Sequence, residues 1–342
     1  MFQDITIEEL LARKNTKDLT IIDVRSPSEY LDGTIPGSLN IPIFDDEERA
    51  EIGTTYKQVS VEAAKERGLE IVSAKLPAFI KAFSLISGPK AVFCWRGGMR
   101  SRTTATVLSL MDIHAYRLAG GIRSYRQWVV HTLESIDFKP PAMILNGHTG
   151  TGKTAILRRL QSEGYPILDL EYMADHRGSI FGHVGQRTNN QKTFEALLLE
   201  QLLKLQDAPF IVMEGESKRI GKAVLPRFMV EKKEAGTQIF IELPIEERVR
   251  HILEDYQPAA HKGEILHAFK RIKTRIHTPI AKEIEANLLI GHYDRAVRLL
   301  LEHYYDPRYE HAMSQYEKES HFIQAQTIDE AVDAVKRILP GR

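Results

Sequence analysis

One stretch of this chain admits few folds. The apolar run Met143-Ile144-Leu145-Asn146 leads into Gly147-His148-Thr149-Gly150-Thr151-Gly152-Lys153-Thr154, and KTAILRRL then follows with helical periodicity. The eight residues fit GxxxxGK[ST] completely, between the strand and the helix that a phosphate-binding loop requires. Glycines let successive N–H groups turn toward one anion, and the helix amino terminus adds partial positive charge. Lys153 is placed to reach the outer phosphate oxygens, and Thr154 is a possible ligand for Mg²⁺. Such a loop sits at the carboxyl end of a parallel strand, which predicts an α/β unit with helices on both sheet faces.

The stretches YPILDLE, PFIVMEGE and QIFIEL supply further strands. Two of them end in acids, Asp169 and Glu171 in one, Glu214 and Glu216 in the other. All four are therefore expected at the sheet edge beside the loop, as candidates for metal or base work, and spacing does not choose among them. ADHRGSIFGHVGQR is polar and glycine-rich, as a lid or gripping segment would be. His176, Arg177, Ser179, His183 and Arg187 are its candidate substrate contacts. The two histidines have no third ligand at zinc spacing. Beyond about residue 245 the chain reads as charge-rich helices with no further strand. There Lys270, Arg271, Lys273 and Arg275 would form a broad basic surface on an ideal helix, suited to RNA phosphates. Arg248, Arg250 and His251 are read as lying on another basic helix. Tyr304, Tyr305 and Tyr309 could stack a base, but core packing is the preferred reading.

Upstream, strands such as TIIDVRSP alternate with helical stretches, which predicts a second, mostly parallel sheet. The apolar run Ala91-Val92-Phe93 ends in Cys94, followed by WRGGMRS. Arg96, Gly97, Gly98, Arg100 and Ser101 then form a loop whose N–H groups can converge on an anion, and such a setting favours the thiolate. Cys94 is the single cysteine, so an internal disulfide and a four-cysteine zinc site are excluded, and a reducing compartment fits. Pro140-Pro141 marks a boundary, giving a division into 1–138, 139–245 and a helical carboxyl region, 246–342.

With 342 residues the chain is long enough for two or three domains. Lys plus Arg and Asp plus Glu are 46 each, so the net charge is zero and any nucleic-acid binding needs a local patch. DNA is not expected as a partner. Acids stand where a secretory signal would carry basic residues, and no run of about 20 apolar residues would span a membrane. A cytoplasmic location is expected.

DVRSPSEYLDGTIPGSLNIP together with CWRGGMRS resembles a rhodanese domain. That resemblance gives Cys94 the role of accepting and donating a chalcogen, and makes Asp23 and Arg25 organisers of the domain. The fold expected is a rhodanese-like parallel-sheet domain followed by a P-loop NTPase-like α/β domain with a helical carboxyl region. With DDEERAEIGTTYKQ, GHTGTGKT, DLEYMADHRGSIFG and the strand ending EGES, the chain resembles the tRNA 2-selenouridine synthase family over almost its full length. The resemblance implies a transferase that converts wobble 2-thiouridine in tRNA to 2-selenouridine with selenophosphate. It also implies an S-geranyl-2-thiouridine intermediate made from geranyl diphosphate. Selenophosphate and geranyl diphosphate would be substrates, with Mg²⁺ possible and no tightly bound organic cofactor. The tRNA would be the main partner, and a selenophosphate-supplying enzyme another. For Cys94, carrying selenium covalently and activating the donor both remain open. Two rivals are a rhodanese-type sulfurtransferase coupled to an ATP-using kinase-like domain, and a regulatory protein with a nucleotide-dependent P-loop. The cysteine loop disfavours the second, and DDEERAEIGTTYKQ and DHRGSIFG disfavour the first.

Overall fold

The computed structural model describes residues 2–16, 18–308 and 320–341. It divides into two compact units, Met1–Ile136 with Glu195–Leu199 and Asp137–Phe194 with Glu200–Arg342. In the first, β1 (Gln3–Ile5), β2 (Thr20–Asp23), β3 (Leu39–Asn40), β4 (Lys90–Phe93) and β5 (Ala115–Leu118) form one sheet in the order β1-β5-β4-β2-β3. Every pairing is parallel. Strand β4 is buried throughout, as expected where helices cover both faces. Around it Ile22, Val24, Phe83, Val92, Ala105 and Leu108 form a core that includes Cys94.

The charged tract 45–70 is helical. Asp45 caps the helix Asp46–Gln58 and Glu48 returns the bond to the cap, a complete capping box. The next helix, Val61–Ser84, runs unbroken through Gly68 and Pro77. Asp23 and Arg25 organise the domain as the resemblance implied. Arg25 donates Nε to Asp23 Oδ1 at 3.0 Å and a terminal nitrogen to Gly33 O at 2.7 Å, while Thr34 donates to Asp23 at 2.9 Å. One buried ion pair thus ties the turn after β2 to the winding loop 33–38.

In the second unit β6 (Ala142–Gly147), β7 (Ile167–Leu168), β8 (Ile211–Glu214), β11 (Thr237–Glu242) and β12 (Ser320–Gln324) form an all-parallel sheet in the order β12-β11-β6-β8-β7. A short antiparallel pair, β9 (Arg219–Ile220) and β10 (Ala223–Val224), stands apart from it. The loop-bearing strand β6 is central, so its carboxyl end opens between β11 and β8.

Strand β12 corrects the expectation that no strand follows residue 245. It pairs in register with β11 from Gln238↔Ser320 to Glu242↔Gln324. Ile323 is its one buried residue, so its sequence, SHFIQ, never shows an apolar run. The helix Ile328–Ile338 follows, and its Ala331, Val332 and Val335 share a core with Ile156, Leu157 and Leu160 of the helix Lys153–Ser162.

Between β11 and β12 the helices Ile245–Tyr256, Lys262–Lys270, Thr278–Ile290 and Tyr293–Leu300 build a core with Phe269, Ile284 and Leu299 at its centre. The helix expected to carry the basic cluster stops early. Lys270 ends it, Arg271 is its cap, and Lys273–Arg275 form a 3₁₀ turn. Burial of Ile272 and Ile276 sets this change of path. Lys273 is paired with Glu285 at 2.5 Å, while Lys270, Arg271 and Arg275 are exposed. Tyr304 is buried in the same core and Tyr305 packs against it, while Tyr309 lies outside the described residues. Among the described residues no helix is long and apolar enough to cross a membrane.

Candidate functional site

The loop 147–152 turns through positive φ at Gly147, Gly150 and Gly152 before the helix starting at Lys153. At Gly150, φ is 85° and a Cβ would lie 2.8 Å from both the Arg248 carbonyl oxygen and Ile252. A side chain there would lift the helix Ile245–Tyr256 off the loop. Lys153 folds back, donating Nζ to Gly147 O at 2.9 Å. In front lies a cavity of about 270 Å³ walled by Gly150, Gly152, Lys153, Thr154, Glu171, Arg177, Ser179, Glu216 and Arg308. Tyr256, Tyr304 and Tyr305 also line it. A narrower pocket adjoins, sharing Thr149, Ser179, Ile252, Tyr256 and Tyr305 with the first. Its remaining walls are Phe181, Pro258, Ile265, Leu288, Tyr293, Val297, Leu300 and Leu301. A charged chamber therefore opens beside an apolar one.

In the other unit Cys94 ends β4 and is buried, its Sγ 3.2 Å from Ser101 Oγ. The start of the helix Gly121–Ser135 holds the loop from behind. Ile122 N donates to Cys94 O at 2.9 Å and Arg123 N to Trp95 O at 3.1 Å. A Cβ on Gly121 would collide with the Cys94 carbonyl oxygen and lie 2.6 Å from Gly97 N. Gly97 itself has φ 64°, and Gly98 caps the helix Met99–Leu110. Arg96 is exposed. Arg100 is bound by both oxygens of Glu29, which also lies 3.7 Å from Arg49 of the inserted helix. Arg100 thus braces the loop from the side, and Arg96 is left toward solvent.

Residues 140–338 match the model of the tRNA 2-selenouridine synthase AAA domain, and residues 6–127 match that of the rhodanese-like domain. The tRNA 2-selenouridine synthase of Nitrosomonas eutropha is 35% identical over 295 residues, covering 83% of this chain and 76% of that relative. The tRNA 2-selenouridine synthase of Sulfurovum sp. is 33% identical over 325 residues, covering 85% and 88%. Among solved structures, a rhodanese-related protein from Thermoplasma volcanium is 22% identical with a TM-score of 0.24, covering 37% of this chain and 93% of that one. The chain belongs to the tRNA 2-selenouridine synthase family. It is a transferase that modifies tRNA, and its two halves are the rhodanese-like and AAA-type domains of a tRNA 2-selenouridine synthase.

Within that synthase framework the structure sorts the four acids. Asp169 caps the short helix Leu170–Ala174, accepting from Tyr172 N at 2.8 Å. Glu214 is fully buried behind it. One oxygen accepts from Leu170 N at 3.1 Å and the other has no partner among the described residues. Burial first, then the neighbouring Asp169, pushes the Glu214 carboxyl well above its ordinary range. Glu171 and Glu216 face the cavity, on either side of Gly178. Glu171 accepts from Thr154 Oγ1 at 2.9 Å. Burial, and after it the charge of Glu216, pushes Glu171 up to about 8.

That shift carries a stability signature. Between its ordinary value of 4.5 and about 8, Glu171 keeps a proton in the folded chain that the unfolded chain has released. Stability must then fall as pH rises through this window. Glu171→Gln removes the effect. In metal-free buffer we expect equal Tm values for variant and wild type at pH 4.5, and a variant advantage of about 3 °C or more at pH 8. A constant Tm difference across the range would contradict it.

The segment 176–187 divides similarly. Arg177 and Ser179 line the cavity. Arg177 donates to Val184 O and Asp255 O, both at 2.9 Å, and lies over the Tyr256 ring, while Ser179 and Tyr256 share a 2.9 Å hydroxyl contact. His176 is wedged between Gly182 and Gly221, with its buried Nδ1 unpartnered among the described residues. His183 and Arg187 do not line the cavity. Arg248, grouped in sequence with a basic helix, is instead buried and paired with Asp306. Sequence reasoning passed over Ile252, Tyr256, Asp306 and Arg308, which no motif brackets. The one available signal was the aromatic-acidic tract Tyr304-Tyr305-Asp306.

Proposed function

We propose that the cavity of the second unit binds geranyl diphosphate, with its diphosphate on the loop 147–154 and its hydrocarbon tail in the apolar pocket. The observation carrying this reading is the junction of the two chambers at Thr149, Ser179, Ile252, Tyr256 and Tyr305. A nucleotide would direct a polar ribose and base away from its phosphates, whereas an isoprenoid presents aliphatic surface to match aliphatic walls. In the reaction the thiocarbonyl sulfur of wobble 2-thiouridine attacks C1 of the geranyl group. The C1–O bond breaks, diphosphate leaves, and the base gives up its N3 proton. Lys153, the loop N–H groups and Arg308 are the groups that receive the charge growing on the leaving diphosphate.

The oxygen donors present fit Mg²⁺: Thr154 Oγ1 and Glu171 adjoin, and Glu216 lies across Gly178. Among the described residues no three acids or histidines cluster into a cage. Thr154 and Glu171 would hold the ion, which would complete its shell with diphosphate and water. Bound there, it would neutralise charge on the leaving group.

Alkylation turns the sulfur into a better leaving group. Selenium of selenophosphate then attacks C2 and geranylthiol departs; water attacks phosphorus, the Se–P bond breaks, phosphate leaves, and N3 regains a proton. Selenium enters at the oxidation level it keeps in the product, so no redox partner is needed. Bonding it to the sulfur of Cys94 would need an oxidant. The role assigned to Cys94 and the loop 95–101 is therefore to hold and activate selenophosphate. Titration of the protein with geranyl diphosphate, pyrophosphate and ATP tests the first half. Tight ATP binding with no geranyl diphosphate binding, even with tRNA present, would overturn it.

For the tRNA, the exposed Lys270, Arg271 and Arg275 are the proposed phosphate contacts, with Lys273 held by Glu285. Lys270→Glu with Arg271→Glu should weaken all substrate tRNAs alike and lower the salt slope of binding by about 1.5. Unchanged affinity and slope in a folded variant would place the RNA surface elsewhere.

A further inference from the structure

Behind the phosphate cavity, an ion pair between buried Arg248 and half-buried Asp306 grips the loop from outside. Arg248 donates Nε to the carbonyl of Thr149 at 3.0 Å, and its terminal nitrogens to Asp306 at 3.0 and 2.6 Å. His148 Nδ1 lies 3.4 Å from the same carboxylate. Burial opposes ionisation of Asp306, but the hydrogen bonds from His148 and Arg248 outweigh it and hold the group down at about 2. The first two variable positions of the loop are thus fastened by one carboxylate and its guanidinium. Neither Arg248 nor Asp306 lines the cavity.

Asp306 also occupies a particular place in the chain. Tyr304 and Tyr305 before it, and Arg308 after it, all line the cavity. Arg308 rests over the Tyr304 ring at 3.8 Å. The helix bearing Arg248 contributes Ile252, Asp255 and Tyr256 to the same walls. One ion pair therefore joins the floor of the site to both segments that roof it. An ion pair with one partner buried and the other half-buried contributes little net stability, so its value lies in fixed geometry.

We infer that Arg248 and Asp306 are positioning residues for diphosphate binding, setting the shape of the loop 147–152 and the approach of Tyr305 and Arg308 together. The inference rests on the diphosphate reading of the cavity. It differs from a general stabilising role in what it moves: anion affinity, at temperatures where the protein is fully folded.

The test compares Asp306→Asn, Asp306→Glu and Arg248→Lys with wild type. Binding of inorganic pyrophosphate and of geranyl diphosphate is titrated, Tm is recorded, and kcat and KM for geranylation are separated. Asp306→Asn should weaken pyrophosphate at least tenfold well below its Tm, with KM for geranyl diphosphate rising in parallel, because a loop misplaced by an ångström loses several N–H contacts at once. Asp306→Glu, which restores the carboxylate, should recover most of that loss. Arg248→Lys keeps the charge but not the fork that holds Thr149 and Asp306 together, and should resemble Asp306→Asn. Pyrophosphate affinity within twofold of wild type in folded Asp306→Asn, whatever its Tm, overturns the inference. Should that variant not fold, Arg248→Lys is judged by the same criterion. Wild type that binds pyrophosphate but not geranyl diphosphate removes the prenyl reading and leaves the pair's role measurable on pyrophosphate alone.

Discussion

Replacing Cys94 by Ala should reduce 2-selenouridine formation by at least about a thousandfold, the scale of losing a group that activates the donor, while tRNA affinity stays within error. The side chain is buried against Ser101, and the loop around it is held by backbone bonds from Ile122 and Arg123. None of those bonds involves the thiol, so the loop should survive its loss. The variant should still convert 2-thiouridine to its S-geranyl form, since the proposed geranylation site lies in the other unit. Accumulation of S-geranyl-2-thiouridine, read by nucleoside mass, is the expected fingerprint. A normal selenouridine yield would remove Cys94 from the chemistry.

Lys153→Ala should produce the opposite block. Lys153 lines the charged chamber proposed to take the diphosphate, and a hydrogen bond to a charged group contributes about 1.5–3 kcal/mol. Pyrophosphate and geranyl diphosphate should both weaken by roughly 10- to 150-fold, and geranylation should stop at substrate levels that saturate wild type. Val297→Trp provides the contrast. Val297 lines the apolar pocket and not the phosphate chamber. Filling that pocket should abolish geranyl diphosphate binding and leave pyrophosphate affinity within twofold. Equal losses of both ligands in Val297→Trp would separate the tail from the pocket assigned to it.

Much of this arrangement was legible because both strand–loop–helix segments are local. GHTGTGKT and CWRGGMRS each carry their strand, turn and helix within a dozen residues, so backbone convergence can be read without a tertiary fold. The acids mark where local reading ends. Asp169 and Glu171 are two residues apart, yet one caps a helix and the other meets Thr154. The outcome depends on how the short helix Leu170–Ala174 starts, and strand-end spacing carries no record of that. The single-helix reading of residues 270–275 met a burial requirement, since Ile272 and Ile276 turn the chain into the core and break the helix that would have aligned those charges. Arg248 and Asp306 lie 58 residues apart and meet through helix packing alone. Strand β12 hid because an edge strand needs few inward side chains.

That edge strand has a consequence for synthesis on the ribosome. The helix that begins with Lys153 takes its outer layer from Ala331, Val332 and Val335, and a Cβ on Gly152 would lie 2.6 Å from Ile328. These residues are translated long after the loop itself has emerged from the exit tunnel. A nascent chain carrying β6, β8 and β11 would expose the apolar back of the Lys153 helix and the open edge of β11. The phosphate loop therefore gains its final support near the end of translation. Chains halted before β12 should be clients for chaperones and proteases, and should not accumulate as half-built enzymes.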